Sequence, residues 1–145
     1  MTPQPLVVDT SVVVKWFLDE PHASQALDVR RAIQQGAYRP VVPDLVYAEF
    51  ANTIWKHVRR YGLDPSDGEV MIASFLALPM DVVPSHAILL PAFRIACATG
   101  RPVYDALFLA LSQEAGADMV TADEQLYEAV RAHFPRLQRL AAWGA

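Results

Sequence analysis

The chain has 145 residues, 53% of them apolar and 19% charged, which suits one globular domain over residues 1–145 and excludes intrinsic disorder. A formal net charge of −4 argues against holding nucleic acid by bulk positive charge, but leaves room for a nuclease whose acidic site is neutralised by metal. The single cysteine, Cys97, excludes a disulfide framework or a cysteine-rich zinc site; no apolar run nears the ~20 residues of a membrane helix, residues 1–5 lack the pattern of a signal peptide, and a cytoplasmic protein with no membrane partner is expected.

Residues 6–8 read as a short buried strand, followed by helical spacing over 11–18 and over 23–35, the latter closed by Gly36. A second strand is expected at Val41-Val42, then a helix over 45–61 ended by Gly62. Ser66-Asp67-Gly68-Glu69 has the capping-box pattern and opens a helix to about residue 78, stopped by Pro79. A third strand falls at Val82-Val83. The helix over 85–99 should kink or restart at Pro91, and Cys97 within it reads as a small core residue. Residues 104–115 are apolar nearly all round and must be buried. A fourth strand at Met119-Val120, a helix over 123–133 and an edge strand within 137–140 complete the chain.

Short apolar strands alternating with helices imply a parallel sheet covered on both faces, whose ligands bind at the carboxyl ends of the strands. Asp9 directly follows the first strand, and Asp123 stands just beyond the fourth, which ends at Thr121. Two further acids have apolar surroundings: Glu49 in Leu45-Val46-Tyr47-Ala48-Glu49-Phe50, and Asp105 at the start of the most apolar helix, where the least solvent is expected. Each alone could be a solvated residue or a helix-end charge. Four carboxylates brought together cannot all stay ionised unaided, and oxygen-only ligands suit Mg²⁺ or Mn²⁺, one or two ions. With these four set aside, the remaining acids equal the 12 Lys and Arg, so the excess of −4 is that of the site itself.

Val7-Val8-Asp9-Thr10-Ser11-Val12, then Glu49 with Asn52, then Val103-Tyr104-Asp105-Ala106-Leu107, then Val120-Thr121-Ala122-Asp123 resemble the PIN domain. Within that family they are most similar to the VapC toxins of bacterial toxin–antitoxin pairs, over residues 7–140. The resemblance implies a three-layer α/β/α sandwich with a short parallel sheet. It also implies a metal-dependent endoribonuclease that hydrolyses RNA phosphodiester bonds with a metal-activated water. Asp9, Glu49, Asp105 and Asp123 are then both the catalytic and the metal-binding residues. A homodimer and a VapB-like antitoxin partner are implied as well, and the mean hydropathy of +0.18 independently suggests apolar surface left for a partner.

Around the acids, Ser11, Asn52 and Thr121 are candidates for orienting the carboxylates. For Ser11 and Thr121 helix capping comes first, since Thr121-Ala122-Asp123-Glu124 fits a capping box. Lys56, His57, Arg59 and Arg60 form the densest basic cluster, read either as a solvated helix end or, for Lys56, Arg59 and Arg60, as contacts to RNA phosphates. The four histidines show no metal-ligand spacing, and Trp16 and Phe17 read as core. Two other functions fit the same acids: a metal-dependent phosphohydrolase on small substrates, and a catalytically silent PIN interaction module.

Overall fold

Valine-rich strands bury both faces, and here they do so in the middle of one parallel sheet. The computed structural model describes residues 2–144. It pairs β1 (Gln4–Val8), β2 (Tyr38–Pro43), β3 (Asp81–Val83), β4 (Asp118–Thr121) and β5 (Leu137–Arg139) in the order β3-β2-β1-β4-β5, all parallel. The helices are α1 (Thr10–Val13), α2 (Ala23–Gln34), α3 (Leu45–Tyr61), α4 (Pro65–Leu76), α5 (Leu89–Thr99), α6 (Val103–Ala115) and α7 (Glu124–Val130). Strand order grows in one direction from β1 to β3 and in the other from β4 to β5. Right-handed crossovers therefore put α1 to α4 on one face and α5 to α7 on the opposite face, giving the three-layer α/β/α sandwich.

Leu6, Val7, Val8, Val42, Met119 and Val120 are fully buried in the sheet, and α6 is buried from Ala106 to Ser112. On the other face Phe50 of α3 stacks on Phe75 of α4 with ring centroids 4.3 Å apart, and Phe17 meets Phe50 edge-on at 5.3 Å. Gly68 permits this approach of α4 to α3, because a Cβ there would stand 3.1 Å from Ile54 Cγ2. Val8 pairs with Val120, so β1 and β4 end side by side, at the point where the strand order reverses.

Several local expectations are corrected. The segment 11–18 splits into α1 and a 3-10 turn at Val14–Trp16, where the buried Trp16 Nε1 donates to the Ala26 carbonyl at 2.8 Å. The start of α4 is set by Asp64, not by a Ser66 capping box: Asp64 accepts from the Ser66 N–H at 2.8 Å, and Pro65 takes the first helical position. The break in 85–99 falls between a 3-10 turn at Ser85–Ile88 and α5, ahead of Pro91, which sits in the first turn of α5, where no N–H is needed. Cys97 is exposed on α5 and is not a core residue. The last helix ends at Val130 rather than 133.

Candidate active site

Each acid reaches the carboxyl edge of the sheet by a different local device. Asp9 is the extended residue between β1 and α1, fixed by its N–H donating to the Val120 carbonyl at 3.1 Å. Asp123 is the N-cap of α7 and accepts the Leu126 N–H on Oδ1 at 3.0 Å. Glu49 lies in the second turn of α3, and Asp105 in the first turn of α6. All four line one polar cleft of about 210 Å³ together with Thr10, Ser11 and Thr53. A larger cavity of about 330 Å³, walled by Leu109, Met119, Phe134 and Leu137, opens elsewhere and contains none of these acids.

Hydroxyl groups hold the acids in place. Asp9 Oδ2 accepts from Ser11 Oγ at 2.6 Å and from Thr121 Oγ1 at 2.8 Å. The same hydroxyls accept in turn: Ser11 Oγ from the Ala122 N–H, and Thr121 Oγ1 from the Asp123 N–H, both at 3.0 Å. These two side chains thus bind the end of β1 to the end of β4 and fix where Asp9 points. Glu49 Oε1 accepts from Thr10 Oγ1 at 2.7 Å. The capping expectation is corrected. Thr121 still belongs to β4, the cap of α7 falls two residues later at Asp123, and α1 has no side-chain cap.

Burial disfavours the charged form of both central acids. It raises the Asp9 pKa; the Ser11 and Thr121 hydrogen bonds oppose this, and the charges of Asp105 and Asp123 add to it. It raises Glu49 to about 6, opposed by the Thr10 hydrogen bond and reinforced by the charges of Asp9 and Asp105. Asp105, expected to have the least solvent, instead has a side chain 27% exposed and leans on Arg101, whose Nη2 and Nε donate to its Oδ2 at 2.9 and 3.2 Å. Arg101 Nη2 also lies 3.9 Å from Asp123 Oδ2. Among the described residues, no three of these acids stand close enough together, as they lie, to hold one ion.

Asn52 does not line the four-acid cleft but stands beside one of its members. It is exposed and lines an adjoining depression that it shares with Glu49, Leu45 and Tyr104, while Thr53, the next residue, lines the acidic cleft itself. Lys56 and Arg60, seven and eleven residues beyond Glu49, return to its side of α3 by helical geometry and are exposed. Arg59 is exposed too, with its guanidinium carbon 5.7 Å from the Trp55 ring centre. Sequence reasoning missed Thr10, Thr53 and Arg101. The last was readable, because an arginine four residues before Asp105 can pair with it along a helix.

Comparison with known proteins agrees with this geometry. A ribonuclease VapC3 of Pyrobaculum aerophilum is 36% identical over 128 residues, covering 85% of this chain and 92% of the relative. The crystal structure of VapBC2 from Rickettsia felis, bound to a DNA fragment from its promoter, superposes with a TM-score of 0.64 at 12% identity, over 94% of this chain and 98% of that one. VapC20 of Mycobacterium tuberculosis, a toxin that cleaves the sarcin–ricin loop, gives 0.63 at 16% identity, over 89% and 95%. Residues 6–132 match the PIN domain. Since that match runs from the first strand into the segment after α7 and spans all four acids of the cleft, the chain belongs to the PIN-domain family.

Proposed function

We propose that this chain is a divalent-metal-dependent endoribonuclease and the toxin of a VapBC-type toxin–antitoxin pair, its residues 1–145 forming one nuclease domain in the cytoplasm. The observation that carries this reading is the convergence of Asp9, Glu49, Asp105 and Asp123 on one cleft at the carboxyl edge of the sheet. The ribonuclease name of the relative at 36% identity and the toxin–antitoxin names of the similar folds support it.

The donor set fits a hard cation. It is all oxygen, it gathers more negative charge than its surroundings compensate, and burial raises two of its members. Asp9, Glu49, Asp105 and Asp123 would hold Mg²⁺ or Mn²⁺, as one ion or two. A divalent ion there supplies a more acidic water and neutralises charge on the phosphate. The chain's own residues prepare that chemistry. Ser11 and Thr121 fix Asp9 through Oδ2 alone, and Thr10 fixes Glu49 through Oε1 alone, so the other oxygen of each acid is left available for a ligand. Glu49, raised to about 6, keeps its proton further toward neutrality than an ordinary glutamate, so cation binding is coupled to proton release.

Lys56 and Arg60, on the Glu49 side of α3, meet the RNA backbone, with Arg59 further round the helix. Leu89, Leu90 and Phe93 are exposed around one apolar depression with Val103, and this face joins two copies in a homodimer. The antitoxin covers the cleft. The test is incubation of the purified protein with RNA. Cleavage in Mg²⁺ or Mn²⁺ that stops in EDTA and in Asp9→Asn is expected; cleavage undiminished in EDTA would overturn the reading. A protein that cuts a small chromogenic phosphodiester but spares RNA would be the phosphohydrolase instead.

A further inference from the structure

Among the described residues, Arg101 is the sole cation paired with any of the four acids. Its backbone is closely fixed in the short link between α5 and α6. Gly100 before it takes φ +74°, Pro102 after it precedes the first turn of α6, and its own N–H donates to Thr99 Oγ1 at 3.2 Å. From there the guanidinium, with its side chain 23% exposed, sends two N–H groups to one oxygen, Asp105 Oδ2, and comes within 3.9 Å of Asp123. Hydrogen bonds of an arginine to a carboxylate are among the stronger ones available to a side chain. They occupy one of the two oxygens that Asp105 has to offer a cation, and in this arrangement, among the described residues, no three acids stand close enough together to hold one ion.

We propose that Arg101 is an internal counter-ion that competes with the divalent cation for Asp105, so that metal loading requires Asp105 Oδ2 to leave the guanidinium. This rests on the metal-dependent reading above and adds a restraint to it. In the metal-free protein Arg101 stabilises the acidic cleft by partial neutralisation; when a cation loads, that stabilisation is given up and subtracts from the apparent affinity. Arg101 is therefore a positioning residue that acts through Asp105. The opposite role, in which Arg101 orients Asp105 toward the cation, makes the opposite prediction.

The experiment measures Mn²⁺ binding to the full chain without RNA, by electron paramagnetic resonance of the free ion, in wild type, Arg101→Gln, Arg101→Lys and Asp9→Asn. Melting temperatures are recorded in EDTA and in Mn²⁺. Arg101→Gln should bind Mn²⁺ roughly 2- to 5-fold more tightly, the range expected for losing a partly exposed ion pair. It should also melt lower than wild type in EDTA and gain more from Mn²⁺. Arg101→Lys, which keeps the charge but not the two-pronged contact, should fall between. Unchanged or weaker Mn²⁺ binding by Arg101→Gln, or a higher melting temperature in EDTA, overturns the counter-ion role while leaving the metal reading intact. Failure of wild type to bind Mn²⁺, or full binding by Asp9→Asn, overturns the metal reading and this inference with it.

Discussion

Glu49→Gln should stabilise the metal-free protein at neutral pH. The carboxylate is raised from 4.5 to about 6, first by burial and then by the charges of Asp9 and Asp105, against the hydrogen bond from Thr10. Between those two values the folded chain binds more protons than the unfolded one, so stability falls as pH rises through the window. The penalty is absent below 4.5 and complete above about 6; the interval alone would correspond to about 2 kcal/mol, which solvent screening at this partly exposed site reduces to about 1 kcal/mol. Glutamine removes the charge and keeps an oxygen to accept from Thr10 Oγ1, whose bond to Glu49 is 2.7 Å long. Thermal unfolding followed by circular dichroism in EDTA should show the variant melting higher at pH 7.5, by on the order of 3 °C for a domain of this size. The two proteins should converge at pH 4.5. A variant that melts lower at pH 7.5, or that differs equally at both pH values, would show that the carboxylate charge is compensated in the fold and would refute the argument. Saturating Mn²⁺ should narrow the gap by stabilising wild type through mass action.

Thr121→Val removes the donor to Asp9 and strands the Asp123 N–H, so denaturant unfolding should show a loss of about 1–3 kcal/mol and RNA cleavage should fall; unchanged stability would mean these contacts are replaceable. Because Glu49 must lose its proton to ligate, Mn²⁺ affinity measured by calorimetry should weaken by about tenfold per pH unit below 6, and a flat profile would exclude Glu49 as a ligand. Asp105→Asn and Asp123→Asn should each lower cleavage by orders of magnitude in a gel assay, and near-normal rates would remove that acid from the machinery. Leu90→Glu with Phe93→Glu should convert a dimer to a monomer in analytical ultracentrifugation at micromolar concentration, and a wild type that is already monomeric there would refute the apolar face as an interface.

The sheet was legible because buried parallel strands need short apolar runs, which residues 6–8, 41–42 and 119–120 supply; Val82-Val83 was legible by the same pattern although β3, at the sheet edge, leaves Val82 exposed. The edge location of Asp9 and Asp123 followed from strand ends alone. What sequence could not resolve was the environment of individual side chains. An apolar neighbourhood reports the burial of α6 as a whole, whereas Asp105 occupies its first turn, where the helix rim faces Arg101. The residue lodged between two strands, Asp9, and the one against Thr10, Glu49, are those whose burial raises their pKa. Asn52 and Thr53 stand three and four residues from Glu49, and helical spacing admits both to its side: Thr53 lines the acidic cleft with it and Asn52 the adjoining depression. Thr121 matched a capping box by spelling, but spelling does not show that β4 still runs through it.

Charge ties these observations together. Composition alone assigned the whole excess of −4 to the cleft and balanced every other charge. The structure moves one arginine inside, so the cleft itself carries about three uncompensated charges when all its acids are ionised. One divalent ion leaves that cleft still mildly acidic with Arg101 in place. Two would make it cationic unless Arg101 turns away or an anionic phosphate enters. A phosphodiester is such an anion, and a guanidinium freed from Asp105 is a ready partner for it. Charge balance thus leaves two routes to a second ion, the departure of Arg101 from the cleft or the entry of an anionic phosphate, and the first can lead to the second.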